Sequence, residues 1–423
     1  QGSNFGQGTG GYNGRGTFTA AAWHRVVAAY DEAATPPVVT KYVDGIKQDD
    51  WTANQGLDAA RRALQPTAIL FGDGDQDERR IMYVNSVQIR AGKISDAEAA
   101  VLGGPSAAGI PVVIPKSTVT GQWDFEFADL GATVGSNLQY FDPTYDGPTG
   151  SAGNKTTFGT TTDLGVADID GAPAKIMQVP GELTRQIGYI MTHRIPPNGG
   201  GTKVNQYTLI FDIMVDTAGP GAASLLQISS LANTDDGDLF WQGNNFGQGS
   251  GGYNGTGAFT TAAWHRVIAA YDEAATPPVV TKFVDGIKQD DWTANQGLDA
   301  ARRALQPTAI LFGDGDQDER RIMWVNSIQI RAGKLSDAQM EALGGPSAAG
   351  IPILLPAVQE PPALSLSRSG SSIVVSWPID VTGFILESSP TIEGPTWTAV
   401  NGVTGNSATV PAGSGNLFLR LKK

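Results

Sequence analysis

Two copies of one acidic segment carry the residues best suited to bind a metal ion. Residues 71–78 read FGDGDQDE, and the same letters recur at 312–319. Aspartates at i, i+2 and i+4 on a loop can direct carboxylate oxygens to one point, and Ca²⁺ takes about six to eight oxygen ligands. The predicted calcium ligands are Asp73, Asp75, Asp77 and Glu78 in the first copy and Asp314, Asp316, Asp318 and Glu319 in the second.

This spacing leaves a second interpretation open. It is not that of an EF-hand, because Val84 stands where that loop needs a bidentate glutamate. The alternative is an acidic, solvated turn with Arg79 and Arg80 as counter-charges. A further acidic run at 235–238 could add ligands from a neighbouring loop, or it could be a turn before a buried strand.

Exposed aromatic rings are a second kind of candidate site, because sugar rings stack on aromatic faces. The residues that could form a shallow glycan platform are Tyr12 and Trp51 and their repeats, Tyr253 and Trp292. Tyr12 and Tyr253 lie in glycine-rich loops, and the tryptophans follow an Asp-Asp pair on a predicted hairpin. The alternative is a set of partly buried aromatics that close a sandwich edge.

Little in the chain is typical of covalent catalysis. There is no cysteine, so thiolate chemistry, disulfides and zinc–sulfur sites are excluded. The three histidines, His24, His193 and His265, have no G-x-S-x-G motif to accompany them. We therefore expect the histidines to be structural or surface residues.

Composition limits the kinds of secondary structure that can position these residues and the kinds of partner that the chain can bind. The chain has 423 residues and a formal charge of −13, which disfavours nucleic acid or an anionic membrane as the main partner. Glycine and proline are abundant and charged residues make up only 17% of the chain, which favours many short strands joined by turns. No apolar run reaches the roughly 18 residues of a membrane helix.

A long internal repeat organises the chain. Residues 1–115 recur at 242–356 with a constant offset of 241, and about 98 of the 115 positions are identical. A period of this length is that of a whole domain rather than of a solenoid. We call 1–115 and 242–356 the first and second B segments and 116–241 the A segment. The substitutions are mostly volume-tolerant, so both B segments are expected to fold alike.

Residue patterns within the B segments predict strands. Residues 23–31, 39–43 and 81–89 alternate in polarity, and Asp44-Gly45 is a hairpin turn. One helix is predicted after Ser95, where Ser-Asp-Ala-Glu forms a capping box. In the A segment, 204–215 and 224–229 are further strand candidates. The sequence thus predicts an all-β sandwich with one short helix at the end of each B segment.

The order of several motifs resembles a laminin-G-like domain of the concanavalin A-like lectin/glucanase superfamily. In that family a W-H-x-V-A strand precedes a Y-V-D-G hairpin and a final L-S-D-A-E helix. The corresponding stretches here are 264–267, 271–272, 282–286, 325–330 and 335–338, with 123–126, 158–160, 205–210 and 238–240 resembling the opening half.

The resemblance implies a division of the chain into domains. Residues 116–356 would form one complete jelly-roll sandwich, and 1–115 the closing half of another. Residues 357–423 are similar to the small fibronectin-type-III-like modules that end secreted bacterial proteins. Glucanases of the superfamily carry paired carboxylates on one strand, but Asp124, Glu126 and Asp129 have the wrong spacing, so no catalytic residue is expected.

The repeat creates a problem of stoichiometry. A sandwich needs strands from A and B, yet the chain has one A segment and two B segments, and exchange between identical chains cannot satisfy every B. Three solutions stay open: the sequence is cut from a longer array with another A segment ahead of Gln1, a different partner completes the first B segment, or B folds alone with an exposed apolar face.

These observations favour a secreted or cell-surface protein without catalytic activity. The expected role is structural or adhesive, with subunits that assemble end to end, so that the partners are further copies of the chain. The alternative is a carbohydrate-binding module of a larger secreted hydrolase, with an extracellular glycan as partner.

Overall fold

The fold is taken from a computed structural model, and the chain divides into two compact units, Gln1–Pro356 and Ala357–Lys423. The structure describes residues 4–6, 12, 14–15, 18–48, 50–52, 56–72, 80–112, 117–141, 155–181, 188–219, 221–228, 238–248, 251–255, 258–293, 297–313, 319, 321–356, 364–378, 383–392, 395–413 and 415–422.

The elements of the first unit follow the repeat. The first B segment contributes β1 (Val26–Asp31), β2 (Val38–Val43), β3 (Ile46–Lys47) and α1 (Asp96–Leu102). The A segment contributes β4 (Val119–Trp123), β5 (Gln139–Phe141), β6 (Thr157–Thr160), β7 (Lys175–Val179), β8 (Gly188–Thr192), β9 (Gln206–Val215), β10 (Ala222–Gln227) and β11 (Leu239–Gln242), the last ending at the first residue of the second B segment. The second B segment contributes β12 (Asn245–Gly247), β13 (Trp264–Asp272), β14 (Val279–Val284), β15 (Ile287–Lys288), β16 (Thr308–Leu311), β17 (Met323–Ala332) and α2 (Asp337–Leu343).

The A segment and the second B segment together form a two-layered sandwich. One sheet has the strand order β12-β11-β10-β16-β8-β5. The other has the order β15-β14-β13-β9-β17-β7-β6, and β4 also pairs with β17. The pairs in both sheets are antiparallel, and each sheet interleaves strands of A with strands of B. The predicted all-β sandwich is therefore confirmed.

The core of this sandwich lies between the two sheets. Strand β9 shows how the sequence produces it, because alternate side chains of a strand point to opposite faces. Tyr207, Leu209, Phe211, Ile213 and Val215 belong to the core between the sheets. Ile210 points the other way and packs with Met340 and Leu343 of α2. Both faces of β9 are therefore covered.

The two helices begin as predicted. The Ser95 side chain accepts a hydrogen bond from the Glu98 backbone N–H, and the Glu98 side chain accepts one from the Ser95 backbone. Ser336 and Gln339 repeat this capping box in α2. Such a box satisfies backbone donors that the first helical turn leaves free.

The first B segment does not fold like the second one throughout. Strands β1, β2 and β3 form a three-stranded sheet of their own, and α1 covers one of its faces through residues such as Ala99 and Leu102. Residues 80–91, however, are not a strand, although their repeats form β17. The prediction of a strand at 81–89 is wrong for this copy. Its partner there would be a strand equivalent to β9, and strands without ladder partners do not persist.

The missing partner leaves a large apolar surface exposed. Ile89 is 69% exposed whereas its repeat Ile330 is 0% exposed, and Tyr30 is 50% exposed against 1% for Tyr271. The same contrast holds at several apolar positions, and we call the following nine of them the bare face: Val26, Tyr30, Ile69, Leu70, Phe71, Met82, Val84, Val87 and Ile89.

The first B segment contacts the neighbouring sandwich through its other side. The Arg15 guanidinium donates to the Asp129 carboxylate at 2.6 Å. Ala97 of α1 packs with Val119 and Val134 of the A segment. The Asp96 carboxylate accepts a hydrogen bond from the Gly135 backbone N–H at 3.2 Å. These contacts leave the bare face untouched.

The second unit is a small β module with two three-stranded sheets. Its strands are β18 (Ser365–Ser369), β19 (Ser372–Ser376), β20 (Ile385–Ser389), β21 (Thr398–Ala399), β22 (Ser407–Pro411) and β23 (Phe418–Lys422). The sheets have the orders β18-β19-β22 and β21-β20-β23. Their shared core includes Val375, Trp377, Leu386 and Val410. Among the described residues, no helix is long and apolar enough to cross a membrane.

The duplicated sequence offers a matched pair of substitutions. Ile330→Ala deletes methyl groups from a close-packed core, so we expect it to lower the free energy of unfolding by about 2–5 kcal/mol. Ile89→Ala changes an exposed side chain and should have an effect within about 0.5 kcal/mol. Urea unfolding of both variants, followed by tryptophan fluorescence, measures the difference, and equal losses of stability would contradict the asymmetry of the two copies.

Candidate functional site

The best-defined candidate site is the bare face, and its repeat shows what such a face binds. In the second B segment, β9 lies between β13 and β17 and hydrogen-bonds to both. The register along β13 runs from Trp264 opposite Met214 to Asp272 opposite Gln206. One strand of the A segment thus joins two strands of the B segment into a continuous sheet.

A buried ion pair fixes the position of β9. The Arg266 Nε donates to Asp212 Oδ1 and its Nη2 to Asp212 Oδ2, both at 2.7 Å. Side-chain exposure is 3% for the arginine and 0% for the aspartate. Two parallel charge-assisted hydrogen bonds in a dry site are strong and geometrically specific. Because alternation has a period of two, a shift of β9 by one residue would move Asp212 into the core.

The equivalent arginine of the first B segment has no such carboxylate. Arg25 is only 8% exposed, and it donates to the backbone carbonyls of Leu102 and Gly109. Arg266 makes the same two contacts, to Leu343 and Gly350, in addition to its ion pair. Among the described residues, no acidic side chain lies within ion-pair distance of Arg25. The first B segment therefore has a buried arginine, Arg25, at the position of Arg266, beside the bare face.

A stacked pair of tyrosines adds a second specific contact to β9. The rings of Tyr207 and Tyr271 lie 4.4 Å apart with an interplanar angle of 10°. Tyr207 also donates from its hydroxyl to the Arg303 carbonyl at 2.8 Å. Burial raises the pKa of the Tyr271 hydroxyl well above its usual value, so this side chain stays neutral. Tyr30, the repeat of Tyr271, presents its ring on the bare face instead.

A loop of the A segment is fastened to the second B segment by one carboxylate. Asp299 accepts hydrogen bonds from the Thr202 backbone and hydroxyl, the Lys203 backbone and the Asn205 amide, at 2.7–3.1 Å. These bonds, led by the one from the Thr202 backbone, hold the pKa of Asp299 below its usual value. Its repeat, Asp58, lies exposed.

Most predicted calcium ligands lie outside the described residues. This applies to Asp73, Asp75, Asp77, Glu78, Asp314, Asp316 and Asp318. Glu319 is described, and its backbone carbonyl accepts a hydrogen bond from Ser224 at 2.7 Å. Across the ranges that the structure describes, no group of three acidic or histidine side chains converges as metal ligands would. Of the second acidic run, Asp238 pairs with Arg302 at 2.9 Å. Calcium binding stays a prediction.

The four predicted glycan-binding aromatics are all partly buried. The Arg303 guanidinium lies over the Trp292 ring at 4.3 Å from the centroid, and Arg62 lies over Trp51 in the same way at 4.5 Å. Tyr253 packs against Phe240 with ring centroids 5.8 Å apart. Tyr12 is half-buried. Glycan binding by these rings stays a prediction.

A chain of hydrogen bonds that the sequence did not suggest occurs in both B segments. His265 Nδ1 lies 2.7 Å from Asp285, and its Nε2 lies 3.1 Å from the Thr260 hydroxyl. His24, Asp44 and Thr19 repeat these distances. The order Asp285, His265, Thr260 resembles that of a hydrolytic triad. However, the His265 Nε2 also accepts a hydrogen bond from the Thr260 backbone N–H at 3.2 Å. The ring nitrogens therefore hold a loop against a strand.

The carboxylates nearest to a glucanase pattern have separate environments. Asp124 is buried and accepts hydrogen bonds from Ser327, Thr133 and Gln122. Burial raises its pKa to about 6, although those bonds favour the ionised form. Glu126 is exposed, and Asp129 pairs with Arg15.

A surface hollow of about 520 Å³ lies at the edge of the complete sandwich. It is lined by Trp264, Asp168 and Asp170 together with Ala167, Gly345 and Pro346. The Trp264 indole N–H donates to the Ala167 carbonyl at 2.7 Å, which fixes the ring against the loop. An aromatic ring beside two carboxylates has the chemistry to contact a sugar.

No protein-family model matches the chain, and no curated protein matches it. Parts of the chain match solved structures. Domain 4 of the extracellular arabinanase AbnA from Geobacillus stearothermophilus matches at 15% identity and a TM-score of 0.35, over 54% of this chain and 98% of that one. The binding domain of botulinum neurotoxin serotype G matches at 7% identity and a TM-score of 0.34, over 54% and 50%. A Trypanosoma rangeli sialidase matches at 13% identity and 0.35, over 56% and 34%. Similarities of this size do not identify a relative.

The hydrogen bonds to Asp299 predict how the free energy of unfolding depends on pH. The unfolded-state pKa of an aspartate is about 3.9, and the folded-state value is lower. Its stabilising contribution is therefore present above about pH 4 and is lost as the pH falls through the folded-state value. We therefore expect the free energy of unfolding of the Asp299→Asn variant to fall less with decreasing pH than that of the wild-type protein. Urea unfolding between pH 5 and pH 2 at about half-unit steps measures it, with Asp58→Asn as the control that keeps the wild-type slope.

Proposed function

We propose that this protein is a non-catalytic structural or adhesive component of an extracellular array, built from β-sandwiches of the laminin-G-like kind. The observation that carries the proposal is the bare face. Nine apolar positions are exposed in the first B segment and buried in the second, although the residues are the same or closely similar. Exposed apolar side chains in this number on one folded segment are typical of an interaction site.

The positions at which the two B segments differ support this proposal. Arg15 pairs with Asp129 of the neighbouring sandwich, whereas the repeat of Arg15 is a threonine. Ala100 packs at the same boundary, whereas its repeat Glu341 is exposed. The first copy thus carries residues suited to lie against the next sandwich in line. A succession of such contacts gives an extended arrangement in which 1–115 is a junction between units.

One further substitution fits the same boundary. The Tyr42 hydroxyl donates to the Asp96 carboxylate, and Lys47 donates to the same group at 2.9 Å. The repeat of Tyr42 is Phe283, which has no hydroxyl, and Asp337 pairs with Lys288 in that copy. Asp96 is also the residue that bonds to Gly135 of the A segment. The tyrosine therefore orients a carboxylate that joins the first B segment to the sandwich.

A carbohydrate-binding role is the second candidate, and the hollow beside Trp264 favours it. Asp168 and Asp170 could accept hydrogen bonds from sugar hydroxyls while the indole supplies an apolar surface. The hollow is open to solvent, as a site that takes the end or the edge of a polymer needs to be. In that role the protein would act as a monomer.

Electron microscopy and intact mass of material purified from its native source separate these functions. If the protein forms an array, we expect filaments with a regular axial repeat, or assemblies with a mass well above the chain mass of 44.2 kDa. A monodisperse particle of one chain mass would contradict the array. Retardation of that particle in a polysaccharide-containing native gel, abolished by Trp264→Ala, would favour the carbohydrate-binding role.

A further inference from the structure

The bare face has the hydrogen-bonding edges and side chains of a strand-binding groove. In the second B segment the same surface is filled by β9, which pairs with β13 on one side and β17 on the other. In the first B segment, β1 pairs with β2 on one edge, and no other described strand pairs with β1 or with residues 80–91. A single inserted strand would satisfy both edges, as in strand addition to an open sheet.

The residues at this groove specify which strand fits. Toward the core, β9 presents Tyr207, Leu209, Phe211, Ile213 and Val215, which pack between the sheets. On its opposite face it presents Asp212 to Arg266. In the first copy Tyr30 offers the ring on which a tyrosine would stack, and Arg25 is buried with its Nε directed to no carboxylate among the described residues. The first B segment therefore holds the partner residue for both specific contacts of β9.

A second copy of this chain does not solve the problem. Each copy brings one A segment and two B segments, so one B segment per chain stays without an A segment whichever pairing forms. The chemistry of the groove instead selects another strand of the A kind.

We propose that the bare face is an acceptor site for an extended strand of the A kind from outside residues 1–423, with alternating large apolar residues and one aspartate that pairs with Arg25. The required pattern is that of 206–215, in which the aspartate precedes Ile213. This inference rests on the proposed function, because it names the partner of the junction at 1–115. Insertion would convert residues 82–91 into a strand equivalent to β17.

A fluorescent peptide of residues 204–216 with a solubilising lysine tail tests the proposal on the full chain. We expect saturable binding at one peptide per chain by fluorescence anisotropy. Hydrogen exchange should slow at 26–31 and 81–91 and stay unchanged at 267–272, where β9 is already in place. A peptide of scrambled sequence should not bind. Equal binding of both peptides, or no binding, would overturn the proposal.

The ion pair is tested by a double-mutant cycle. Replacing the peptide aspartate by asparagine should weaken binding by about tenfold to a hundredfold, as loss of a charge-assisted hydrogen bond does. The chain variant Arg25→Met should weaken binding of the native peptide to a similar extent. On that variant the asparagine peptide should cause little further loss, since interacting residues are not additive. Additive losses would contradict the pairing.

Because Arg25→Met could disturb the fold of 1–115, a pair of exposed variants keeps the test decisive. Val26→Asp lies on the bare face and should abolish peptide binding, whereas Leu57→Asp should not, because Leu57 and its repeat Leu298 are both exposed. A chain dimer that Val26→Asp dissociates, without peptide binding, would assign the face to a second copy and overturn the proposal. Filaments from native material without peptide binding would contradict this inference alone; peptide binding by a protein that is monomeric in its native source would contradict the array alone.

Discussion

The structure depends on one strand that two nearly identical halves both require. A B segment places β13 and β17 on either side of a gap, and β9 fills that gap with backbone hydrogen bonds, a buried aspartate and five core side chains. Unpaired backbone groups and bare apolar surface are costly. Where β9 is present, residues 323–332 form a strand; where it is absent, the repeated residues 82–91 do not. Two nearly identical segments therefore adopt different conformations, according to whether a partner strand from outside the segment is present.

This dependence explains how far the sequence alone could predict the fold. Alternation predicted β9 and β10, the capping box predicted α1, and motif order predicted one complete sandwich followed by a tail. These features are local, or belong to one continuous stretch. A strand at 81–89 was predicted from the same alternation, and this prediction is wrong in the first copy. Alternation shows which side chains are apolar and suited to burial, but it does not show whether a neighbouring strand is available. The segment count did indicate that one half would lack its partner.

The candidate site was less accessible to sequence analysis. Aspartate runs and aromatic residues drew attention, yet most of the aspartates lie outside the described residues and the tryptophans pack under arginines. The residues that define the groove, Arg25 and Tyr30, are ordinary members of a strand pattern. Comparing exposure between the repeats reveals them. A signal was nevertheless present in the sequence, because Asp212 interrupts an otherwise apolar strand and such a buried charge requires a partner.

Hydrogen exchange followed by mass spectrometry tests the central claim most directly, within a single molecule. Peptides 81–91 and 322–332 differ in mass, because Tyr83 and Val87 are replaced by Trp324 and Ile328. The account predicts that amides of 323–332 exchange slowly, as in a central strand, while those of 82–91 exchange at rates close to those of an unstructured chain. Equal protection of the two peptides in the isolated chain would show that the first B segment is complete without a partner, and would contradict the account.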